Sequence, residues 1–293
     1  HDKFAEYIRS QYHVKKINDH LHIYDGGVYV PGSLAIERAM LREISSLTDN
    51  QRKEVLKYLN VICIEEKQQD NLNLIAFRNG IYNIDTNSLE PFNPEIVITN
   101  KIPWDYNPNA ESKLVDEVLD RLSCNEEEIR YSLEEVAGAC LYRSATIGGG
   151  KCAVLVGDKH NGKSTYLHMI ESMLGKDNYS ALDLKELGDR FSTIMMFGKL
   201  ANIGDDIGDE FIANASVFRK LVTGERVNVE RKGQDPFEFN NYSKFLFSAN
   251  VIPRMKDKTG AVQRRLVIVP FDAKFTPNDA DFRPFIKDEL CEQ

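Results

Sequence analysis

The sequence predicts an α/β fold with a parallel sheet in its C-terminal half, preceded by a smaller α+β and helical N-terminal region. Two observations carry this expectation. From Lys151 onward, short apolar runs alternate with a glycine-bearing loop and a helical segment, the order that builds a parallel sheet with crossover connections. Before that point apolar residues recur mainly at three- to four-residue spacing, interrupted by a hairpin signal at Asn79-Gly80. At ~100 to 200 residues per domain, a chain of 293 residues is expected to form about two domains, each able to bury a core. Gly148-Gly149-Gly150 is the plainest linker signal. The expected division is an N-terminal α+β domain at 1–110, a helical linker or oligomerisation region at 111–147, and the α/β core at 148–293.

The elements follow in order. Asp2 to Asn18 and Leu34 to Glu66 read as helices, the second broken near Thr48-Asp49, where either residue can cap a helix start. Two apolar runs about Asn79-Gly80 form a hairpin, and Glu95 to Tyr106, β-branched and aromatic, reads as strand. Leu114, Val118 and Leu122, then Ile129, Leu133 and Val136, mark two amphipathic helices between Glu111 and Leu141 with a turn near Ser123. Lys151 to Val156 is a buried-strand pattern, Lys163 to Leu174 a helix, and Lys199 to Gly204, Lys244 to Ala249 and Leu266 to Val269 are further strands. Between the strands at Lys199 to Gly204 and Lys244 to Ala249, Arg226 to Phe239 alternates apolar and polar residues about Arg231-Lys232-Gly233, a hairpin with a basic tip.

The net charge of -8 conceals segregation. Nine carboxylates and three basic residues lie between Glu111 and Glu135, whereas six basic and two acidic residues lie between Arg254 and Lys274. Only the C-terminal part is suited to a polyanion. Five scattered cysteines without a C-x-x-C pair indicate reduced thiols in a cytoplasm rather than a disulfide framework. No apolar run approaches the ~18 residues of a membrane span, and no signal-peptide layout opens the chain. A start at His1 and an end at Cys291-Glu292-Gln293 suggest a piece of a longer protein.

Chemistry concentrates in one motif. Gly157 to Ser164 fits G-x-x-x-x-G-K-[ST] between an apolar strand and a helix, the context of a phosphate-binding loop. Its glycines let backbone amides turn inward at the positive end of the helix. Gly157, Asn161, Gly162, Lys163, Ser164 and Thr165 are the candidate ATP-binding residues, with Lys163 a solvent-facing amine for the β and γ phosphates. Ser164 and Asp205 are the candidate Mg2+ ligands, and Asp206 is the candidate to orient or deprotonate the attacking water. These acids open a run of four in six residues that does not fit a calcium loop. Near Asp25, His20 and His22 lie two apart in an expected strand and share a face, but no third metal ligand is evident beside them, so they read as structural or exposed. Trp104 and Tyr106 read as a satellite core.

With these motifs placed, "KFLFSANVIP", "FRKLVTGERVNVERKGQDPFEF" and "GAVQRRLVIVPF" complete an ordered set. The chain from about Leu72 to Phe275 resembles the superfamily 3 helicases, more narrowly the helicase part of phage and plasmid primase-helicases and their poxvirus relatives. The resemblance implies an AAA+-type P-loop ATPase core, a hexameric ring, and ATP hydrolysis coupled to unwinding of DNA in replication. It implies that Asn250 is the sensor asparagine and that Arg264 or Arg265 is an arginine finger for the neighbouring subunit, with Arg254 in reserve. It implies that the basic hairpin lines a central pore and grips single-stranded DNA, with Arg231 and Lys232 as the contacts. Family members often carry Glu in the acid pair where this chain has Asp205-Asp206. A primase module is expected elsewhere on the full-length chain, in a bacterial host or virus-infected cell. The rival reading is an ATP-switched DNA-binding or assembly protein that does not unwind.

Overall fold

The computed structural model describes residues 2–66, 72–145, 149–207, 215–230, 236–252, 260–280 and 282–292, excepting the side chain of Asp206. It comprises two compact units, His1–Tyr106 and Asn107–Gln293.

In the first unit, α1 (Asp2–Gln11) is shorter than its sequence pattern suggests. His13 takes a positive φ of 48°, and the chain turns into a three-stranded antiparallel sheet of β1 (Lys15–Ile17), β2 (His20–Asp25) and β3 (Val28–Pro31). Asn18 and Asp19, both at positive φ, make the two-residue turn between Ile17 and His20, a geometry Asn and Asp tolerate better than most residues. Next come α2 (Ser33–Glu43) and α3 (Asp49–Ile62). Their division falls where expected, because the Thr48 hydroxyl accepts from the Gln51 amide while Gln51 accepts from the Thr48 amide, a reciprocal cap. Ala5, Ile8, Met40, Val55 and Leu59 close a core between these helices and β2.

A second antiparallel sheet contains β4 (Leu74–Phe77), β5 (Gly80–Asn83) and β6 (Ser88–Glu90). Phe77 pairs with Gly80, so the hairpin turn is Arg78-Asn79, one residue before the expected centre. Glu95 to Tyr106 is not a strand. Its backbone bonds are divided between elements: Ile98 accepts from Tyr29 of β3, while Ile102 donates to Ala76 of β4. Tyr106 stacks on Tyr82 with ring centroids 4.2 Å apart, whereas Trp104 is exposed. His22 is buried, donates to the His20 carbonyl at 2.8 Å, and has its pKa pushed down by burial. Among the described residues no group of three or more His, Cys, Asp or Glu could hold a metal ion.

The second unit opens with α4 (Lys113–Leu122) and α5 (Glu127–Ala139), which share this unit with the phosphate loop. After them come β7 (Cys152–Val156), α6 (Lys163–Leu174), β8 (Tyr179–Ser180), α7 (Arg190–Thr193), β9 (Ala201–Ile207) and α8 (Ala215–Thr223). β10 (Arg226–Val229), β11 (Phe237–Asn240), β12 (Lys244–Ala249), β13 (Leu266–Pro270) and α9 (Ile286–Cys291) complete the unit. β13-β7-β12-β9-β8 form one sheet, parallel throughout. β12 is buried along its whole length, and β7 at all but its last residue, which is half-buried, as in strands covered on both faces. Phe218 of α8 packs with Phe245 and Phe247 of β12, and the Tyr166 hydroxyl of α6 donates to the Leu133 carbonyl of α5 at 2.6 Å.

Strand β9 extends to Ile207, beyond the expected end at Gly204, and therefore contains Asp205 and Asp206. Its pairing with β12 shifts register between Phe247 and Ala249: Gly204 faces Phe247 but Ile207 faces Ala249, which inserts one extra residue at the two acids. Upstream, fully buried Asn202 ties β9 to the segment after β8. Its Oδ1 accepts from the Ser180 hydroxyl at 2.8 Å and the Leu182 amide at 2.9 Å, while Nδ2 donates to the Leu182 carbonyl at 2.9 Å. Asn202→Ala is expected to destabilise the unit by about 2–4 kcal/mol, since three buried groups lose their partner. Urea unfolding should show a lower midpoint with an unchanged slope.

Candidate nucleotide-binding site

The carboxyl ends of β7, β12 and β9 lie side by side, and the residues that follow them build one crevice. Such crevices are where open α/β sheets place their ligands. Gly157, directly after β7, donates its amide to the Ala249 carbonyl at the end of β12 (3.2 Å). From there the loop wraps back through His160, at φ 62°, to Gly162, at φ 86°, which caps α6 without a side chain. The first amides of α6 therefore lack a side-chain cap, as an anion site at a helix N-terminus requires.

The loop has a backing that sequence reading missed. The Phe271 amide donates to Val156 at 2.7 Å, the Asn161 Nδ2 donates to the Phe271 carbonyl at 2.6 Å, and the Phe275 amide donates to His160 at 3.0 Å. A Cβ at Gly157 would come within 2.1 Å of that Phe271 carbonyl, and one at Gly162 within 2.3 Å of a Leu122 methyl. Gly157 is thus required by close approach to backbone, and Gly162 by its left-handed φ of 86°. The Asn161 side chain points inward to this backing, and its Oδ1 is buried without a hydrogen-bond partner.

Lys163 is buried, which corrects the expectation of a solvent-facing amine. Its Nζ donates to the carbonyls of Gly157 at 2.5 Å and Asp158 at 2.7 Å, and approaches Asn250 Oδ1 at 3.5 Å. The fold does bring the loop lysine and the candidate sensor together. Ser164 and Thr165 are half-buried in the first turn of α6. On β9, Asp205 Oδ1 accepts from the Ser248 hydroxyl at 2.5 Å. Ser248 lies in β12 two residues before Asn250, which directly follows the strand. Asp206 belongs to β9, and its side chain lies outside the described residues.

Cavities flank the loop. One of about 390 Å³ is lined by Gly157, Asp158, Asn161, Asn250, Asp272 and Lys274. Another, about 490 Å³, also contains Asn250 and Lys274, so Lys274 is a second cation at the crevice. A third, about 570 Å³, opens on Gly162 and Thr165 and has apolar walls from Leu114 and Val118 of α4 and from Phe282 and Ile286. Over its rim the Arg121 guanidinium lies 4.7 Å from the Phe275 ring centroid. A buried amine, uncapped helix amides and glycines that exclude any Cβ fit a polyphosphate chain. Ser164 and Asp205 supply the oxygen donors that suit magnesium, which takes few protein ligands alongside phosphate oxygens.

Arg264 and Arg265 are not at this crevice. They form a 3₁₀ turn before β13, whose Leu266 pairs with Cys152. Val156 is four residues farther along, so the arginines stand about 13 Å or more from the loop, at the amino end of the sheet. Arg265 Nη1 donates to the Ala261 carbonyl at 2.5 Å, while Arg264 is exposed. The hairpin is present as antiparallel β10 and β11, with Val227 opposite Phe239. Its tip residues Arg231 and Lys232 lie outside the described residues, as does Arg254.

Residues 4–124 match the family described as D5 N terminal like, and residues 155–265 match a family of unknown function, DUF5906. The chain is 26% identical over 270 residues to "Putative helicase 184R" of Invertebrate iridescent virus 6, a match covering 82% of this chain and 27% of that protein. With "Putative helicase 121R" of Invertebrate iridescent virus 3 it shares 25% identity over 248 residues, covering 77% of this chain and 26% of that one. The chain thus spans about a quarter of the length of these relatives. Two apo structures of the NrS-1 C-terminal region superpose with TM-scores of 0.59 and 0.61 at 13% and 12% identity, each covering 98% of this chain and 65% of theirs. At that identity the likeness is one of fold. By these comparisons the chain is similar in sequence to proteins named putative helicases and shares the fold of the NrS-1 C-terminal region.

Proposed function

We propose that the chain is the motor of an ATP-dependent DNA helicase that acts in replication as a homo-hexameric ring on single-stranded DNA. The observation that carries this reading is the meeting of Lys163 with Asn250 over the Gly157 and Asp158 carbonyls at the carboxyl ends of the parallel sheet. Triphosphate oxygens would take over the Lys163 amine from those carbonyls, and Asn250 would hold the γ phosphate or the attacking water without adding charge. Bound magnesium, held by Ser164 and Asp205, would neutralise charge on the phosphates. Asp206 is assigned to the water. The apolar cavity between α4 and Phe282 takes the base and ribose, because it opens directly on Thr165.

Distance argues for a shared site. Arg264 and Arg265 cannot serve the loop of their own subunit from the opposite end of the sheet, so they are assigned to a neighbour's nucleotide. Arg264 is the better presented of the two, since its side chain is exposed while Arg265 bonds within its own turn. The β10–β11 hairpin carries the DNA contacts at Arg231 and Lys232. A primase module on the same full-length chain, and work in the cytoplasm of a bacterial host or virus-infected cell, complete the proposal. No described helix is long and apolar enough to cross a membrane.

Unwinding of forked DNA with ATP, measured by fluorescence, is the direct test. Turnover of ATP without strand separation would favour the assembly-switch reading. Lys163→Ala is expected to lower ATP hydrolysis by about 100-fold or more. Because the buried amine also bonds two carbonyls, the same variant should lose about 1–2 kcal/mol of stability in a urea titration.

Mixing an Arg264/Arg265 double variant with Lys163→Ala is expected to restore part of the ATPase that neither has alone, since mixed rings pair an intact loop with an intact finger. No recovery despite demonstrated subunit exchange would remove the trans assignment. Lys232→Ala should retain basal ATPase, lose stimulation by single-stranded DNA, and flatten the log-log salt dependence of DNA binding by roughly one unit.

A further inference from the structure

Away from the phosphate crevice, α6 and α9 place three reactive side chains in a row. The Cys291 Sγ lies 3.3 Å from His168 Nε2, and His168 Nδ1 lies 3.4 Å from Glu171 Oε2. His168 and Glu171 are one turn apart on α6, and Cys291 is the last residue of α9. A nucleophile within hydrogen-bond reach of a base, itself oriented by a third group, is the arrangement that activates thiols. The carboxylate can hold the proton on Nδ1, which leaves the Nε2 lone pair facing the sulfur. The imidazole stands between the sulfur and the carboxylate, so a single metal ion could not touch all three groups.

We propose that Cys291 is an activated thiol, a modification site for peroxides and similar small electrophilic oxidants, with His168 as its base and Glu171 as the positioning residue. In the reaction the Cys291 proton passes to His168 Nε2 as the sulfur attacks one peroxide oxygen. An S–O bond forms, the O–O bond breaks, and the leaving hydroxide takes the proton from the imidazolium to become water. Sulfur is oxidised to sulfenic acid and the peroxide oxygens are reduced.

The other cysteines provide internal controls. Cys124 is exposed in the turn between α4 and α5, whereas Cys63, Cys140 and Cys152 are buried. Burial raises the thiol pKa of Cys63 and pushes that of Cys140 up to about 12, which leaves little thiolate to react. Exposure alone would make Cys124 the fastest, because Cys291 is only half-buried. Activation reverses that order.

The test treats the whole chain with hydrogen peroxide, traps sulfenic acid with dimedone, and measures each cysteine by peptide mass spectrometry. Cys291 is expected to be labelled about tenfold or more faster than Cys124. His168→Ala should bring Cys291 down to the Cys124 rate, and Glu171→Gln should slow it in part. A merely structural role for His168 gives the opposite sign, since loosening α9 would expose Cys291 and speed its labelling. Labelling of Cys63, Cys140 or Cys152 would reveal a variant that has lost its fold, in which case the wild-type ratio decides. A Cys291 rate no greater than that of Cys124, or an undiminished rate in folded His168→Ala, overturns the proposal.

Discussion

The parallel pairing of β7 on both of its edges is the constraint on which the second unit depends. Val156 is level with Ala249 on one side and Pro270 on the other. That level ending gives the phosphate loop a floor on which Gly157 bonds to Ala249 and a back wall in Phe271. The glycines then follow from geometry, because a side chain at 157 would occupy space already filled by a carbonyl and 162 takes a left-handed φ. Placement of Asn250 depends on the same pairing, since it emerges from the neighbouring strand one residue past Ala249. The site is therefore a property of strand register as much as of motif.

What could be read in the sequence was what the chain encodes locally. Asn250 was reached only through the family resemblance, whereas the glycine-bearing loop, its strand and its helix were legible because their spacing is imposed within about twenty residues. The cap at Thr48 was legible for the same reason. Asn18-Asp19 closes a stretch whose apolar residues keep a helical spacing, so only the positive φ of both residues shows the hairpin. Glu95 to Tyr106 has strand composition but hydrogen-bonds singly to separate elements, a tertiary outcome that composition does not report. Lys163 burial, the Asp205–Ser248 bond and the Asn161–Phe271 bond all join residues more than forty positions apart or depend on those that do. The presence of Lys274 beside the crevice falls in the same class.

Charge is organised more tightly than a net value of -8 conveys. The acidic stretch through α4 and α5 is not simply solvated: Arg130 bonds Asp116 at 2.6 Å and Glu134 at 3.0 Å, and also Asp120, across the two helices. These groups are partly exposed, so the network contributes modestly to stability and more to fixing the helix pair. At the amino end of β12, Lys244 is buried with its amine donating to the carbonyls of Tyr142 and Tyr242, and desolvation pushes its pKa down to about 8. A buried cation at each end of the same sheet, Lys244 and Lys163, is held in both cases by backbone carbonyls rather than by a carboxylate.

The strand order also bears on how the chain is made. β7 is synthesised first among the sheet strands, yet its two partners, β12 and β13, come roughly a hundred residues later. No hairpin can seat it in the meantime, and long-range parallel pairing is slow because loop closure precedes the contacts that reward it. Until β12 has left the ribosome both edges of β7 are open, and one stays open until β13 follows. The part of the chain with the most recognisable chemistry is thus among the last to acquire its shape, and the interval before it does so is when misassociation of nascent chains is most favoured.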